Sequence, residues 1–355
     1  MPRNGKLVRI ACVLAAAAVL AAVAVAAAGA AGAKRSGGAL VGAGSSLVAP
    51  AVQGVWGPAY QSKTGVGIQY SAVGSGAGIA QITARTVDFG ASDAPMTPDQ
   101  ARHCHGCIEI PWALAATGPI ENIPGVNGLQ LHLTGATLAK IYLGQITNWS
   151  DPALKRLNPK LKLPNHSITT VHRSDGSGDT YAFTDYLSKV SKTWASEIGK
   201  STSVNWPAGG VGGKGNSGVA QVVNSTPYSI GYVSTAYVIQ NHLHMVRLQN
   251  AAGNYTYPSV KSIESAAQLV KRVPANTVIS ITDPPASHKY RNAWPISTFT
   301  YAIVPTKSAK ATELRDFIGW ALGAKQQKAI QHYVFAPLPA LVAKVAHNRL
   351  KKIHS

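Results

Sequence analysis

The stretch TTVHRSDGSGDTYAFTDYLSKV, residues 169–190, contains the pattern that decides the fold class. Its first residues are β-branched or apolar and predict a strand that ends at Arg173. A loop rich in Gly and Ser follows. Beyond this loop, Phe183, Tyr186 and Leu187 recur at helical spacing and predict an amphipathic helix. Strands that alternate with helices in this way indicate an α/β fold.

The same strand–turn–helix pattern occurs twice nearer the N-terminus. Residues 40–61 read LVGAGSSLVAPAVQGVWGPAYQ, and residues 67–95 read GIQYSAVGSGAGIAQITARTVDFGASDAP. In all three units the Gly/Ser turn lies where a strand ends and a helix begins, which is where open α/β sheets bind ligands. Further strands are predicted at residues 229–240 and 300–308, and a further amphipathic helix at residues 311–333.

These turns favour the binding of a small anion. A helix N-terminus carries unpaired N–H groups and the positive end of the helix dipole. The candidate loops are Ser45-Ser46-Leu47, Ser75-Gly76 and Ser177-Gly178, and Arg173 adds a bidentate charged donor. The alternative interpretation is that the Ser and Asp residues of these loops are only helix N-caps.

The composition is strongly basic, with a formal net charge of +19 from 33 basic and 14 acidic residues. Such a charge attracts anions or anionic polymers, and it also serves solubility alone. Since 46% of the residues are hydrophobic and 13% are charged, the chain is predicted to be globular rather than disordered. Its 355 residues allow one large or two medium domains.

The N-terminus, residues 1–33, reads as an export signal. Arg3, Lys6 and Arg9 precede an almost wholly apolar run, and small residues occupy the expected cleavage site. The run is also long enough to remain as an uncleaved anchor. Cys12 lies near the start of the run, so lipidation there is not expected. We therefore expect an exported protein that is periplasmic or associated with the cell envelope.

Export bears on the C-x-x-C pair of Cys104 and Cys107. In an oxidising compartment such a pair predicts a local disulfide. Zinc is the alternative, because His103 and His105 lie beside the pair, but a closed zinc site needs four ligands.

Motifs of common enzymes are absent from the sequence. Residues 209–218, GGVGGKGNSG, do not form a phosphate loop, since Ala208 and Gly215 occupy its first Gly and its Ser/Thr position. No G-x-S-x-G or H-E-x-x-H motif occurs. With few acidic residues, a carboxylate-rich metal site is not expected either. The sequence therefore predicts neither an enzyme nor a bound metal or cofactor.

A run of motifs in this sequence resembles one known family. The motifs, in chain order, are GAGSSLVAPAV, GSGAGIAQI, VDFGASDAPMT, YLGQITNWSDPAL, LNPKLKLP, HRSDGSGDTYAFTDYLSKVS, VNWPAGGVGGKGNSGVA, SIGYVSTAYV and AWPISTFTYAIV. They resemble the periplasmic phosphate-binding protein of the bacterial high-affinity phosphate ABC importer, the PstS family. The resemblance extends from about residue 40 to residue 340.

The resemblance implies a type II periplasmic-binding-protein fold, in which two discontinuous α/β lobes are joined by a two-strand hinge. Lobe 1 is expected at residues 38–118 and 294–355, and lobe 2 at residues 119–293. Phosphate is expected to lie between the lobes. The expected partners are inorganic phosphate and the membrane permease subunits of the importer. We expect a monomer and no nucleic acid partner.

The family's phosphate site carries over by motif to Ser46, Leu47, Ser75, Asp93, Arg173, Ser177, Gly178 and Asp179. Asp93 is expected to accept a proton from phosphate, and Asp175 to orient Arg173. The family usually has Thr-Phe at the positions of Ser46 and Leu47. It usually has Thr at the position of Asp179.

Two interpretations of Asp179 follow from this difference. Its carboxylate either turns outward at the helix N-terminus, where negative charge is favoured, or enters the pocket and accepts a second phosphate proton. In both cases position 179 is expected to line the site. A different function also remains open at this point, namely an envelope adhesion protein or an enzyme that acts on phosphate-containing polymers.

Overall fold

The computed structural model describes residues 38–355. The predicted export signal at residues 1–33 lies outside the described residues. The twelve strands of the described part are β1 Leu40–Gly44, β2 Ile68–Ser71, β3 Phe89–Ser92, β4 Cys107–Asn122, β5 His132–Thr134, β6 Thr169–Arg173, β7 Val211–Gly213, β8 Ser229–Ser234, β9 His244–Met245, β10 Arg247–Gln249, β11 Tyr255–Thr256 and β12 Ser297–Pro305.

The α-helices of residues 38–355 surround these strands. They are α1 Ala49–Ala51, α2 Gly57–Thr64, α3 Ser75–Thr83, α4 Pro98–His103, α5 Gly135–Tyr142, α6 Pro152–Leu157, α7 Gly178–Val190, α8 Lys192–Glu197, α9 Gly215–Ser225, α10 Thr235–Asn241, α11 Val260–Ala267, α12 Ala311–Ala321, α13 Ala324–Ala329 and α14 Ala340–Leu350. A π-helix, Val52–Trp56, joins α1 to α2, and 3₁₀ turns lie at His288–Tyr290 and Gln331–Tyr333.

The strands confirm the predicted α/β class. One sheet has the order β2-β1-β3-β12-β4-β8-β6-β7, with β9 beside β4, and a small second sheet has the order β11-β10-β5. β1 is parallel to β2 and β3, and β6 is parallel to β7 and β8, whereas β12 is antiparallel to both of its neighbours. We call β2, β1, β3 and β12 the first sheet part, and β8, β6 and β7 the second sheet part.

Strand β4 lies between the two sheet parts and pairs with both of them. Its residues 107–116 pair with β12, and its residues 117–122 pair with β8. All but a few of its 16 residues are buried, as expected for a central strand that is covered on both faces.

Two hydrophobic cores flank this strand. The first contains Trp56 and Trp112, whose rings lie 5.4 Å apart. The second contains Phe183 stacked on Tyr232 at 4.3 Å. Phe183, Tyr186 and Leu187 of α7 are all fully buried, so the apolar spacing read from the sequence does mark the packed face of that helix.

The prediction of a strand at residues 229–240 is wrong for the second half of this segment. The strand ends at Ser234, and residues 235–241 form α10. A short run of β-branched and aromatic residues does not distinguish a strand from a short helix, and Thr235 and Ala236 are buried in the helical form. Among residues 38–355, no helix has both the length and the apolar character needed to cross a membrane.

Candidate functional site

The predicted Gly/Ser turns meet at one place between the two sheet parts. The Gly178 N–H, at the start of α7, donates to Ser75 Oγ at the start of α3 over 3.1 Å. The Gly76 N–H donates to the Gly176 carbonyl over 2.9 Å. The loop after β1 joins the same cluster, because Ser46 Oγ accepts the Asn216 N–H at 3.1 Å. Turns that are far apart in the sequence therefore contact one another at one buried position.

Arg173 ends β6 and supplies the positive charge of this cluster. Its Nε and Nη2 donate to the two carboxylate oxygens of Asp175 at 2.7 and 2.5 Å, and its Nη1 donates to Asp179 Oδ2 at 2.9 Å. Burial acts to lower the pKa of Arg173, but the two carboxylates raise it above its ordinary value. A guanidinium has five N–H groups, so two remain for a ligand after these three bonds.

Asp175 fixes the orientation of that guanidinium. Besides both Arg173 contacts, its Oδ1 accepts the Gly215 N–H at 2.9 Å. Burial acts to raise the pKa of Asp175, but the ion pair with Arg173 outweighs it and holds the pKa below the usual range. Asp175 therefore stays ionised and occupies one edge of the arginine fork.

The interpretation that the Asp179 carboxylate turns outward is wrong, because the carboxylate points into the protein. The residue is only 1% exposed. Its Oδ1 accepts from Thr117 Oγ1 at 2.7 Å, and its Oδ2 accepts from Arg173 and from Asn216 Nδ2, the latter at 2.6 Å. Three donors inside the protein outweigh the small helix-dipole gain of an exposed position. Burial raises the pKa of Asp179 in spite of Arg173.

Asp93 follows β3, and its carboxylate lies against Gly178 at the start of α7. Its Oδ2 accepts from Ser45 Oγ at 2.5 Å, whereas its Oδ1, buried with the rest of the residue, has no hydrogen-bond partner among residues 38–355. Burial, followed by the charge of Asp179, raises the pKa of Asp93 to about 7. A buried polar atom without a partner is costly, so a ligand that donates a hydrogen bond to Asp93 Oδ1 would remove this cost.

Three buried serines surround the same space. Ser46 Oγ accepts from Asn216, Ser75 Oγ accepts from Gly178 and Asp93 N–H groups, and Ser177 Oγ accepts the Thr180 N–H at 3.1 Å. Within the described residues none of these hydroxyls donates to a protein acceptor. Ser177 is thus an N-cap, as the alternative interpretation held, and each serine also keeps one O–H donor for a ligand.

The backbone groups expected to donate to a ligand are already paired in this structure. The Leu47 N–H donates to Ser45 Oγ at 3.0 Å. The Gly178 N–H donates to Ser75 Oγ. The Leu47 side chain, fully buried, packs in the core around Trp56 and Trp112.

Two residues of the cluster were not found from the sequence. Asn216 contacts Ser46 and Asp179, and its Oδ1 accepts the Ser234 N–H at 2.7 Å. It begins α9 directly after β7, so the segment compared with a phosphate loop is in fact a fourth strand–turn–helix unit. Thr117 lies within β4, where no local signal marks it.

The cluster combines neutral donors with one unpaired acceptor. Its positive side chain, Arg173, already faces the carboxylates of Asp175 and Asp179, so hydroxyl and amide dipoles provide much of the remaining attraction for an anion. The cluster thus contains serine hydroxyls that are free to donate and one carboxylate oxygen that is free to accept, which is the set of groups that a small oxyanion with a proton requires.

The cysteine pair lies apart from this cluster. Cys104 and Cys107 form the predicted disulfide, with an S–S distance of 2.02 Å. Both sulfurs are therefore engaged, which excludes the zinc alternative. The part of the chain that the structure describes contains no group of three or more His, Cys, Asp or Glu residues arranged to hold a metal ion.

Comparison with known proteins places this site in a family context. Residues 27–325 match the model of the PBP superfamily domain. The phosphate-binding protein PstS of Xylella fastidiosa strain Temecula1 is 41% identical over 308 residues, which cover 85% of this chain and 82% of that protein. The phosphate-binding protein PstS of Haemophilus influenzae is 38% identical over 316 residues, with 88% and 92% covered.

Solved structures agree on the fold. A high-affinity periplasmic phosphate-binding protein, PfluDING, bound with phosphate, has a TM-score of 0.70 at 21% identity and covers 87% of this chain and 93% of its own. A putative phosphate ABC transporter substrate-binding protein from Clostridium perfringens, with bound phosphate, has a TM-score of 0.60 at 18% identity, with 85% and 100% covered. The α/β type II binding-protein fold expected from the sequence is thereby confirmed.

Proposed function

The chain belongs to the PstS family of phosphate-binding proteins within the PBP superfamily, and from this premise we propose that it captures inorganic phosphate for an ABC importer. In this proposal one phosphate lies in the cluster around Arg173 and Asp93. The loaded protein then delivers it to the membrane permease subunits. The protein itself makes and breaks no bond of the ligand.

The unpaired Asp93 Oδ1 is the observation that carries this proposal. A buried carboxylate repels an anion unless the anion brings a proton. Phosphate carries at least one proton near neutral pH, whereas sulfate carries none. Sites that require a hydrogen bond reject analogues that lack it by about 10⁴–10⁵-fold. Asp93 therefore selects phosphate over sulfate.

The remaining contacts follow from the free donors. The two N–H groups left on Arg173 bind phosphate oxygens, and the hydroxyls of Ser46, Ser75 and Ser177 donate to others. The N–H groups of Leu47 and Gly178 turn from their serine partners to the ligand as it enters. The hydroxyl of each of these serines can then still donate its hydrogen to a phosphate oxygen.

Asp179 acts on the ligand through Arg173. Its carboxylate oxygens are occupied by Thr117, Arg173 and Asn216, so it takes no phosphate proton in this arrangement. It lines the site, holds the guanidinium from the edge opposite Asp175, and removes part of the positive charge. This favours the ligand with less negative charge.

Binding includes closure of two lobes, with lobe 1 at residues 38–118 and 294–355 and lobe 2 at residues 119–293. β4 changes its pairing partner between Ala116 and Thr117, close to the proposed boundary. The bonds from Gly178 to Ser75 and from Asn216 to Ser46 connect the two lobes. These bonds hold the two lobes together in this structure, and entry of phosphate requires a hinge motion that separates the lobes and then closes them on the ligand.

The cellular setting of this function is an exported, monomeric binding protein of the periplasm or cell envelope, without a nucleic acid partner. A role on phosphate-containing polymers fits the site less well, because Asp93, Arg173 and Asp179 are at most 5% exposed and a polymer has no room between them.

Equilibrium dialysis with radiolabelled phosphate tests the proposed function. We expect one phosphate per chain and no displacement by a large excess of sulfate. Arg173→Ala should weaken binding about ten- to a hundredfold, since a hydrogen bond to a charged group contributes about 1.5–3 kcal/mol. An unchanged affinity of this variant, or equal competition by sulfate, contradicts the assignment of the site.

A further inference from the structure

The Cys104–Cys107 disulfide has a guanidinium group directly against it. Arg85 Nη1 donates to Cys107 Sγ at 3.1 Å and to Cys104 Sγ at 3.5 Å. Disulfide sulfurs are weak acceptors, whereas a thiolate is a full negative charge. The same contacts therefore stabilise the reduced thiolate form much more than the disulfide, because an adjacent arginine lowers the pKa of a thiol.

The position of this guanidinium is fixed by backbone carbonyls. Nη2 donates to the carbonyls of Cys104 and His105 at 2.8 and 3.0 Å, and Nη1 donates to the Ile82 carbonyl at 2.6 Å. Arg85 is thus held over the C-x-x-C loop by the loop itself and by the last turn of α3. A charge that is already in place costs no rearrangement when a thiolate appears.

Backbone strain occurs on both sides of this contact. Arg85 has a φ of 57° and His105 a φ of 38°, in the left-handed region that residues other than glycine seldom occupy. Strain of this kind is retained where the surrounding structure imposes it, and it concentrates at functional sites. Here the two strained residues are Arg85, which contacts the sulfurs, and His105, which lies between the two cysteines in the sequence.

The two sulfurs differ in access. Cys104 is fully buried and packs with Ile79, Ile82 and Met96. Cys107 is only partly buried, and His105 beside it is exposed. An incoming thiol therefore reaches Cys107 Sγ, whereas Cys104 Sγ is positioned as the leaving group.

The charged groups on the neighbouring elements contact other residues and not the two sulfurs. On α4, Arg102 and His103 contact Asp99 at 2.9 and 3.4 Å. On β4, the Glu109 carboxylate accepts the Met96 N–H at 2.7 Å. α3 contains no charged residue. Of the charged side chains in the described part of the chain, Arg85 is the one that hydrogen-bonds the sulfurs.

We propose that Cys104 and Cys107 form a redox-active disulfide that exchanges with a dithiol reductant, and that Arg85 stabilises the Cys107 thiolate. The site lies at the end of α3 opposite Ser75. Exchange therefore needs no access to the phosphate cluster.

The reaction consists of two thiolate displacements. A thiolate of the dithiol attacks Cys107 Sγ, forms a mixed disulfide and expels Cys104 Sγ as a thiolate. The second thiolate of the reductant then attacks its own sulfur in the mixed disulfide and expels Cys107 Sγ as a thiolate beside Arg85. Two electrons pass from the dithiol to the protein. The two protons of the dithiol go to solvent, from which the protein thiolates take up protons according to pH.

The experiment uses the full chain with Cys12→Ala in every variant, so that the pair is measured alone. The redox equilibrium with dithiothreitol is followed by alkylation and mass spectrometry. The thiol pKa of Cys107 is obtained from the pH dependence of iodoacetamide alkylation in Cys104→Ser. Arg85→Gln removes the charge, Arg85→Lys keeps it, and Arg102→Gln is the control that removes a nearby exposed charge paired with Asp99.

We expect Arg85→Gln to shift the dithiothreitol equilibrium at least about tenfold towards the disulfide, which corresponds to about 30 mV for two electrons. Arg85→Lys should retain part of the effect, and Arg102→Gln should match the parent. In Cys104→Ser, the Cys107 thiol should titrate at least one unit below about 8.5, the value of an unperturbed thiol. The proposal is refuted by equal equilibria in Arg85→Gln and Arg102→Gln. If Arg85→Gln does not fold, a Cys107 thiol titrating at or above about 8.5 in Cys104→Ser refutes it instead.

Discussion

Replacement of Gly178 by alanine should separate phosphate binding from folding. Gly178 begins α7, and a Cβ atom placed on it would lie 2.4 Å from Asp93 Oδ2, 2.6 Å from Asp93 Cβ and 2.8 Å from Ser75 Oγ. These contacts connect the start of α7 to residues of the proposed lobe 1. The backbone of Gly178 is not in the left-handed region, so alanine adopts it without strain.

This substitution raises the free energy of the closed state, in which α7 packs against Asp93. Ordinary contact needs about 3.4 Å, so α7 and Asp93 must separate by about 1 Å. Overpacking of this kind costs about 1–3 kcal/mol, and displacement of the Gly178 N–H from the phosphate oxygen to which it is proposed to donate adds about 1 kcal/mol. At 1.4 kcal/mol per tenfold change, a total of about 2–4 kcal/mol corresponds to roughly 30- to 1,000-fold weaker phosphate binding.

Folding of the variant should be nearly unaffected, because the two lobes release the clash by remaining open. Calorimetric titration with phosphate and a thermal melt of the ligand-free protein measure the two effects. Gly54→Ala is the matched control, since its added Cβ approaches nothing closer than Tyr333 Oη at 3.6 Å. Wild-type phosphate affinity in Gly178→Ala would refute the closed packing described here.

Three further predictions concern charge and closure. Asp93→Asn should weaken the rejection of sulfate, because an amide can donate to an unprotonated oxygen, and sulfate competition as poor as in wild type would contradict this. Asp179→Asn keeps the shape of its network but removes a charge that raises the Asp93 pKa. Asp93 then ionises at lower pH, and the acid limb of a phosphate-affinity profile from pH 5 to 9 should shift to lower pH, whereas superimposable profiles would exclude the coupling. Small-angle scattering should show a smaller radius of gyration with phosphate than without it, and an identical radius would argue against hinge closure.

The sequence was informative where one local pattern fixes both structure and chemistry. The turns around Ser46, Ser75 and Ser177 were predicted because a Gly/Ser loop between a strand and a helix lies at the edge of the sheet where open α/β folds bind ligands. The Asp175–Arg173 pair is likewise local, since only Ser174 separates the partners. The disulfide was predicted from the C-x-x-C pair together with the expected oxidising compartment, and the structure decides for it against zinc.

Contacts between distant segments were harder to predict. Asp179 was open to an outward orientation because its three donors come from β4, β6 and α9, and no sequence spacing brings these together. Asn216 was overlooked because its segment was compared with the phosphate-loop motif and counted towards the family resemblance, but was not recognised as a strand–turn–helix unit. Thr117 carries no signal at all, because a threonine in a strand is ordinary until the sheet order is known.

The position of β12 between β3 and β4 also has a consequence for the folding of the newly synthesised chain. The β3 edge cannot pair with its final neighbour until residues 301–303 are available, long after β1, β2 and β3 have been synthesised. Pairing over such a sequence separation is slow, and an unpaired strand edge is prone to associate with other chains. Until the C-terminal residues are available the β3 edge stays unpaired, so the newly made chain should associate with other chains far more readily than the folded protein does.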